Sequence, residues 1–305
     1  MLGDGIVVTG NDRLTPSAMR YRVGDPVARM PPRRAARECL ILQAQASPLS
    51  LFSRLFGIDP LAREARRTYS GALAELAVTR SLAGLGSEWT VLHCVTVADG
   101  GSDDRLDAVV DHLVIGPAGI FAVTTHSHAG QAVWVGERTF LVDDIRLDHL
   151  ASAEIAASAA SERLVAALAA DGTILDAVVT ACIVVDAPST LRIRQRPGRI
   201  QVVTARAFAS WLTGLPRLIS PMVVDAIATV AVDSSTWPIS RETLDDHTSD
   251  ERHRVGSFEQ LRHRVETARI RRLIWTGIGV VISCALAISS VGGLSLFGIT
   301  TAISP

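Results

Sequence analysis

The chain has 305 residues, with 30 basic against 31 acidic side chains and a formal net charge of −1. That length holds one sizeable domain plus appendages, and the balanced charge excludes a chain marked as a nucleic-acid binder by bulk charge alone. Every basic residue is arginine, and the four cysteines (Cys39, Cys94, Cys182, Cys284) form no CxxC pair. They point to buried free thiols in a reducing compartment, not to a zinc ribbon or a disulfide framework.

The chain opens without a basic region leading into a long apolar core, so no secretory signal is expected. Residues 1–58 mix Pro, Gly and Arg without a period, which predicts a flexible or loosely packed segment. The apolar patch Leu49 to Ile58 is expected to pack on the domain, with a membrane surface as the alternative. Asp59 and Pro60 read as a helix cap and first position, and Leu73, Leu76, Ala77, Leu82 and Leu85 recur at helical spacing.

Strands follow over 89–97, 106–116 and 120–126, the last two joined by a tight turn at Pro117-Ala118-Gly119. The loop between the first two carries Asp103, Asp104 and Asp107, read as solvated acids. Residues 132–143 read as a further hairpin turning at Gly136-Glu137. An Ala-rich helix is predicted over 148–170. A nearly continuous apolar run over 177–186 suits a strand covered on both faces. Between it and a strand at 199–204 lies "RIRQRPGR", a basic loop that could touch phosphates or simply be an exposed turn. Two helices close the domain, the second opening at Ser220-Pro221. The order helix, three strands, helix, strand predicts an α/β fold.

Residues 241–272 are strongly charged and read as a linker and a basic juxtamembrane helix. From Leu273 to the end no charged residue occurs. That exceeds the roughly 20 apolar residues a membrane span needs. Arg262, Arg264, Arg269, Arg271 and Arg272 precede it, and the positive-inside rule places their side in the cytoplasm. The expectation is a single-pass anchor in the cell membrane with the domain, 59–240, in the cytoplasm. Gly292 and Gly293 would kink the span, permit helix contact or face lipid.

The candidate chemistry lies in "DHLVIGPAGIFAVTTHSHAG", residues Asp111 to Gly130, together with Gly71 and Glu75 of the first helix. With "EWTVLH", Gly130 and Trp134, these residues resemble the nuclease-related domain of the PD-(D/E)xK nuclease-like superfamily, in a bacterial membrane-anchored form. The resemblance covers residues 68–190. It implies a core of helix, three-stranded mixed sheet, helix and strand. It also implies a divalent metal, Mg²⁺ or Mn²⁺, held by a carboxylate on the second strand and another on the third. Such a metal polarises a phosphodiester and activates a bound water. An acid on the first helix assists, and a lysine two residues after the third-strand acid shares its face.

Carried onto this chain, Asp111 matches the second-strand acid and Glu75 the helix acid. Thr124 stands at the third-strand acid and His126 at the lysine. A threonine hydroxyl is a poor ligand for a hard cation, and no lysine exists elsewhere to substitute. Three readings stay open. The site is degenerate and the domain is a binding or interaction module. Or Asp111, Glu75, His126 and His128 hold a softer cation, or His126 acts as base, in a divergent metal-dependent nuclease. Or the pocket binds a ligand or partner without cleaving it. Nucleic acid and an unknown protein are the candidate partners beside the membrane. His112, next to Asp111 but on the opposite strand face, and His93 are expected to be packed structural histidines. No Gly-rich strand-to-helix turn, G-x-S-x-G or His-Glu-x-x-His occurs.

Overall fold

The computed structural model describes residues 19–22, 33–47, 49–98, 108–238 and 248–299. Asp103, Asp104, Asp107, most of the charged linker and the last residues of the expected span lie outside them. The described chain forms two compact units, one within Met1–Ala35 and Tyr69–Glu251, the other within Ala36–Thr68 and Arg252–Pro305.

In the first unit, helix α3 (Ala65–Leu82) leads into β2 (Thr90–Ala98), β3 (Ala108–Gly116) and β4 (Gly119–Ser127). These pair antiparallel in sequence. Helix α4 (His149–Ala170) returns the chain to β8 (Val179–Asp186), which lies parallel to β4 and to β10 (Gln201–Thr204). With the edge strand β1 (Met19–Arg22) the sheet order is β1-β2-β3-β4-β8-β10. The α/β nuclease-like architecture expected from the motif order is therefore present.

Both faces of this sheet are covered, and strand alternation decides what covers each. Leu113, Ile115, Ile120, Ala122 and Ile183 join Ala153, Leu164 and Leu168 of α4 and Ile227 of α6 (Pro221–Val232) in one core. Val114, Phe121, Val123, Cys182 and Val184 pack with Val78 and Leu82 of α3 and Phe208 and Leu212 of α5 (Phe208–Gly214) in the other. Each fully buried large side chain contributes about 1.5–3 kcal/mol, which explains why β8 is apolar at successive positions.

A second sheet has the order β7-β6-β5-β9. It comprises β5 (Ala132–Val135), β6 (Phe140–Val142), β7 (Ile145–Leu147) and β9 (Thr190–Ile193). Val133, Val135, Phe140 and Val142 turn inward and join the α4 core.

The second unit holds α1 (Arg33–Ala44), α2 (Leu51–Leu55) and a 52-residue helix, α7 (Thr248–Ile299). Phe258, Leu261, Val265 and Ala268 of α7 are buried, a 3-4-3 spacing that defines one packed stripe. From Arg269 to Ala287 every side chain is exposed. The segment Gly256–Ala287 is long and apolar enough to cross a membrane by length and composition. Cys39 of α1 is buried, its Sγ 3.9 Å from the Ala65 carbonyl, and burial pushes its thiol up to about 11.

Several local expectations are corrected. The first long helix begins at Ala65, not after Asp59. Asp59 accepts instead from the Leu61 N–H, closing a turn that delays the helix. Residues 33–44 and 51–55 are helical where a flexible or loosely packed segment was expected. Cys39 and Cys182 are buried, but Cys284 is exposed on the apolar half of α7 and Cys94 is half-buried.

Candidate functional site

Asp111 lies at an irregularity between β2 and β3. The ladder pairs His93 with His112 and Val95 with Val110, and skips the intervening Cys94 and Asp111. Cys94 adopts a left-handed φ of +52°, a conformation costing on the order of 1–3 kcal/mol for a non-glycine residue. The faces switch here. Leu113 and Ile115 line the α4 core, and so does Val110, three residues before Leu113. Asp111 therefore belongs to neither regular row. Its Oδ2 accepts from the Thr125 N–H of β4, so the carboxylate takes the place of a ladder carbonyl.

On β4 the regular alternation persists. Ile120 and Ala122 face α4, and Thr124 and His126 continue that row. His126 stacks on His149, the first residue of α4, with centroids 3.7 Å apart and planes at 14°. The next residue in the row, the buried His128, brings Nε2 to 3.3 Å from His149 Nε2. Phe140 lies edge-on against His149 at 5.0 Å. The structure thus unites His126 and His128 with a third histidine that the sequence did not single out. The Thr124 hydroxyl is buried and has no hydrogen-bond partner among the described residues.

Glu75 stands elsewhere. It lies one turn before Val78 on α3, the helix that covers the opposite sheet face, and is nearly buried. Among the described residues no three His, Cys, Asp or Glu side chains are posed to hold one metal ion. A hard divalent cation fits poorly here. Thr124 offers only a neutral hydroxyl, Asp111 is engaged by a backbone N–H, and His126 is stacked.

His93 and His112 form a separate pair, Nδ1 to Nδ1 2.7 Å, with perpendicular rings. His112 is buried, and burial, then the charge of His93, hold its pKa well below the ordinary imidazole value. A cleft of about 650 Å³ opens at the carboxyl ends of β8 and β10, between them and α3. Ser81, Asp186, Ser189, Thr204 and Arg206 are in its wall, and burial raises the Asp186 carboxyl. None of Glu75, Asp111, Thr124 or His126 lines that cleft.

The basic segment "RIRQRPGR" is not simply a loop. Its first residues form β9, and the register sets Trp134 opposite both Arg192 and Leu141, and Leu141 opposite Arg146. Since Val133, Val135 and Phe140 face the core, the row Arg146-Leu141-Trp134-Arg192 occupies the outer face. Arg138, Arg194, Arg196 and Arg199 are exposed around it. Among the described residues none of these six guanidinium groups is in an ion pair. Three exposed acids, Glu137, Asp143 and Asp144, share the region. The Asp143 carboxyl is committed to Ala132 N–H and the Gln131 amide, which hold it below its usual range. A Cβ at Gly136 would lie 2.9 Å from Trp134 Cη2 and Cζ3. The outer edge of the indole benzo ring therefore comes against the bare glycine.

The family model of the nuclease-related domain, NERD, matches residues 70–180. The chain therefore carries a nuclease-related domain over the segment that holds Glu75, Asp111, Thr124 and His126. No curated protein matches the chain.

Proposed function

We propose that this nuclease-related domain is a non-cleaving module, held at the cytoplasmic face of the cell membrane by α7, that retains a nucleic-acid strand. One observation carries the loss of cleavage. Thr124, matched by the resemblance to the third-strand acid, brings no carboxylate, while Asp111 is bonded to the adjacent Thr125 N–H. A phosphoryl-transfer metal needs carboxylate oxygens converging on one point, and these residues offer one engaged carboxylate and a neutral hydroxyl. No chemical step is therefore assigned to a metal.

The strand-holding reading is favoured by the outer face of the second sheet. Arginines neutralise phosphates, and a flat aromatic face accepts a base of any sequence. Trp134, with Arg192 on the neighbouring strand and Arg146 beyond Leu141, supplies both. The arginine-rich stretch before Leu273 and the uncharged helix beyond it support the anchor and its orientation.

The test is fluorescence anisotropy of a labelled oligothymidylate with the full chain in neutral detergent. Affinity is expected to fall steeply with salt. Arg192→Glu with Arg194→Glu should weaken binding and lower the log–log salt slope by about 0.7 for each phosphate that is no longer neutralised. Arg80→Glu, on α3, should change neither. Binding that is independent of salt, or equal in all variants, would contradict the assignment.

A further inference from the structure

Helix α2 and the turn after it show a run of large apolar side chains to solvent. Leu51 is 80% exposed and Phe52 75%, and Leu55, Phe56 and Ile58 are each about half exposed. Short helices of soluble proteins rarely offer five such residues within eight positions, and a patch of this kind marks an interaction surface.

What fixes α2 is its bonding to α7. The Arg271 guanidinium donates to the Arg54 carbonyl at 3.0 Å. Trp275 Nε1 donates to the Leu55 carbonyl at 2.9 Å, and its ring packs on Phe56 with centroids 4.9 Å apart. Gly57, at φ +71°, sits so close that a Cβ there would meet the Ala268 carbonyl and the Arg272 amide at 2.5 Å. All of these interactions fall on Ala268 to Trp275, where α7 changes from arginine-rich to uncharged.

From this placement we infer that α2 is an interfacial anchor that sinks Leu51, Phe52, Leu55 and Phe56 into the headgroup–acyl boundary of a lipid bilayer. The inference rests on the reading of α7 as a membrane span. Three features select lipid as occupant. The patch is level with the point where α7 loses its charges. Trp275, with its ring against Phe56 and its N–H on a carbonyl, has the amphipathic character of an interfacial belt. Arg54, exposed on the same short helix, can extend its guanidinium to phosphate headgroups while its stem stays apolar. A short apolar helix lying in the interface reaches about 5–10 Å into that boundary, a depth that large side chains on one turn can fill. Leu49 to Ile58 thereby becomes a second attachment, locked to the first.

The experiment is spin-label accessibility in the full chain reconstituted into phosphatidylcholine–phosphatidylglycerol vesicles. Phe52→Cys, Ile282→Cys and Ile145→Cys are introduced singly into a Cys94→Ser, Cys284→Ala background, since Cys39 and Cys182 are buried. Collision with oxygen reports lipid, and collision with a water-soluble nickel chelate reports solvent. The label at 52 is expected to show an oxygen-to-nickel ratio severalfold above that at 145, in the direction of the label at 282. A label at 52 that sees nickel as freely as that at 145, with 282 in lipid, would overturn the interfacial helix and leave the anchor standing. Shielding of 52 from both reagents would mean that protein covers α2, and would also overturn it. Solvent exposure at 282 would remove the membrane reading and the inference together. Gly57→Ala serves as a second variant. By displacing α2 from α7 it should lower the ratio at 52 without changing that at 282.

Discussion

Asp111 is at once the most suggestive residue and the one whose role the local geometry constrains most. Its carboxylate satisfies a backbone N–H at a break in the β2–β3 ladder. Asn keeps an acceptor oxygen at that place, and Ala does not. Asp111→Asn is expected to preserve the unfolding midpoint closely. Asp111→Ala should cost about 1–3 kcal/mol through an unsatisfied buried donor, measured by chemical denaturation. Equal effects of the two would show that the hydrogen bond is not what the side chain contributes. His112 makes a second prediction. Its folded-state pKa is depressed below 6.5 by burial and by His93, so the unfolded chain binds the proton more readily. Stability from this group is present above pH 6.5 and is lost as pH falls towards the folded value. His112→Leu should flatten that acid limb of the stability curve, and an unchanged slope would contradict the assignment. His112 was readable as a packed histidine because it adjoins Asp111 on the other strand face. His149 was not, because a histidine at the start of an Ala-rich helix carries no local sign of the strand end it will meet.

At the level of elements, the order helix, three strands, helix, strand was legible from runs of β-branched and apolar residues, an Ala-rich helical stretch, and Gly- or Pro-containing turns between them. β9 was not, for a physical reason. A strand of four residues whose outward positions carry Thr190 and Arg192 and whose inward Ile193 is partly exposed reads like a polar loop until its partner β5 is known. Residues 33–44 are amphipathic but were missed because Pro31, Pro32 and the arginines that follow read as loop; Ala36 and Cys39 mark the inner face. The second sheet also carries a direct structural test of strand binding. Gly136→Ala places a methyl where the Trp134 ring lies, and the indole must lift. Affinity for the oligothymidylate should fall by roughly fivefold or more, given what one stacked base contributes, with no charge altered and the circular dichroism spectrum kept. Unchanged affinity would detach Trp134 from the interface.

Over the whole molecule, the chain divides its chemistry by region. A nuclease-related domain spans residues 70–180, and an uncharged helix follows five arginines near the end. The long apolar helix was legible because the absence of charge after Arg272 needs no structure to be seen. The inward stripe Phe258-Leu261-Val265-Ala268 before it needed the fold, since arginines crowd the same turns. A chain ending at Arg272 should move from the membrane pellet to the soluble fraction. Sedimentation with membranes after that truncation would contradict α7 as the main anchor.

The most direct measurement is a cleavage assay with the full chain, a labelled oligonucleotide and millimolar Mg²⁺ or Mn²⁺. Bound material is resolved from free by mobility, and product from substrate by denaturing electrophoresis. The account predicts a retained strand of unchanged length, with Asp111→Ala indistinguishable from the parent chain. Cutting by the parent chain that Asp111→Ala abolishes would contradict it, and would make Asp111, Glu75 and His126 a working site.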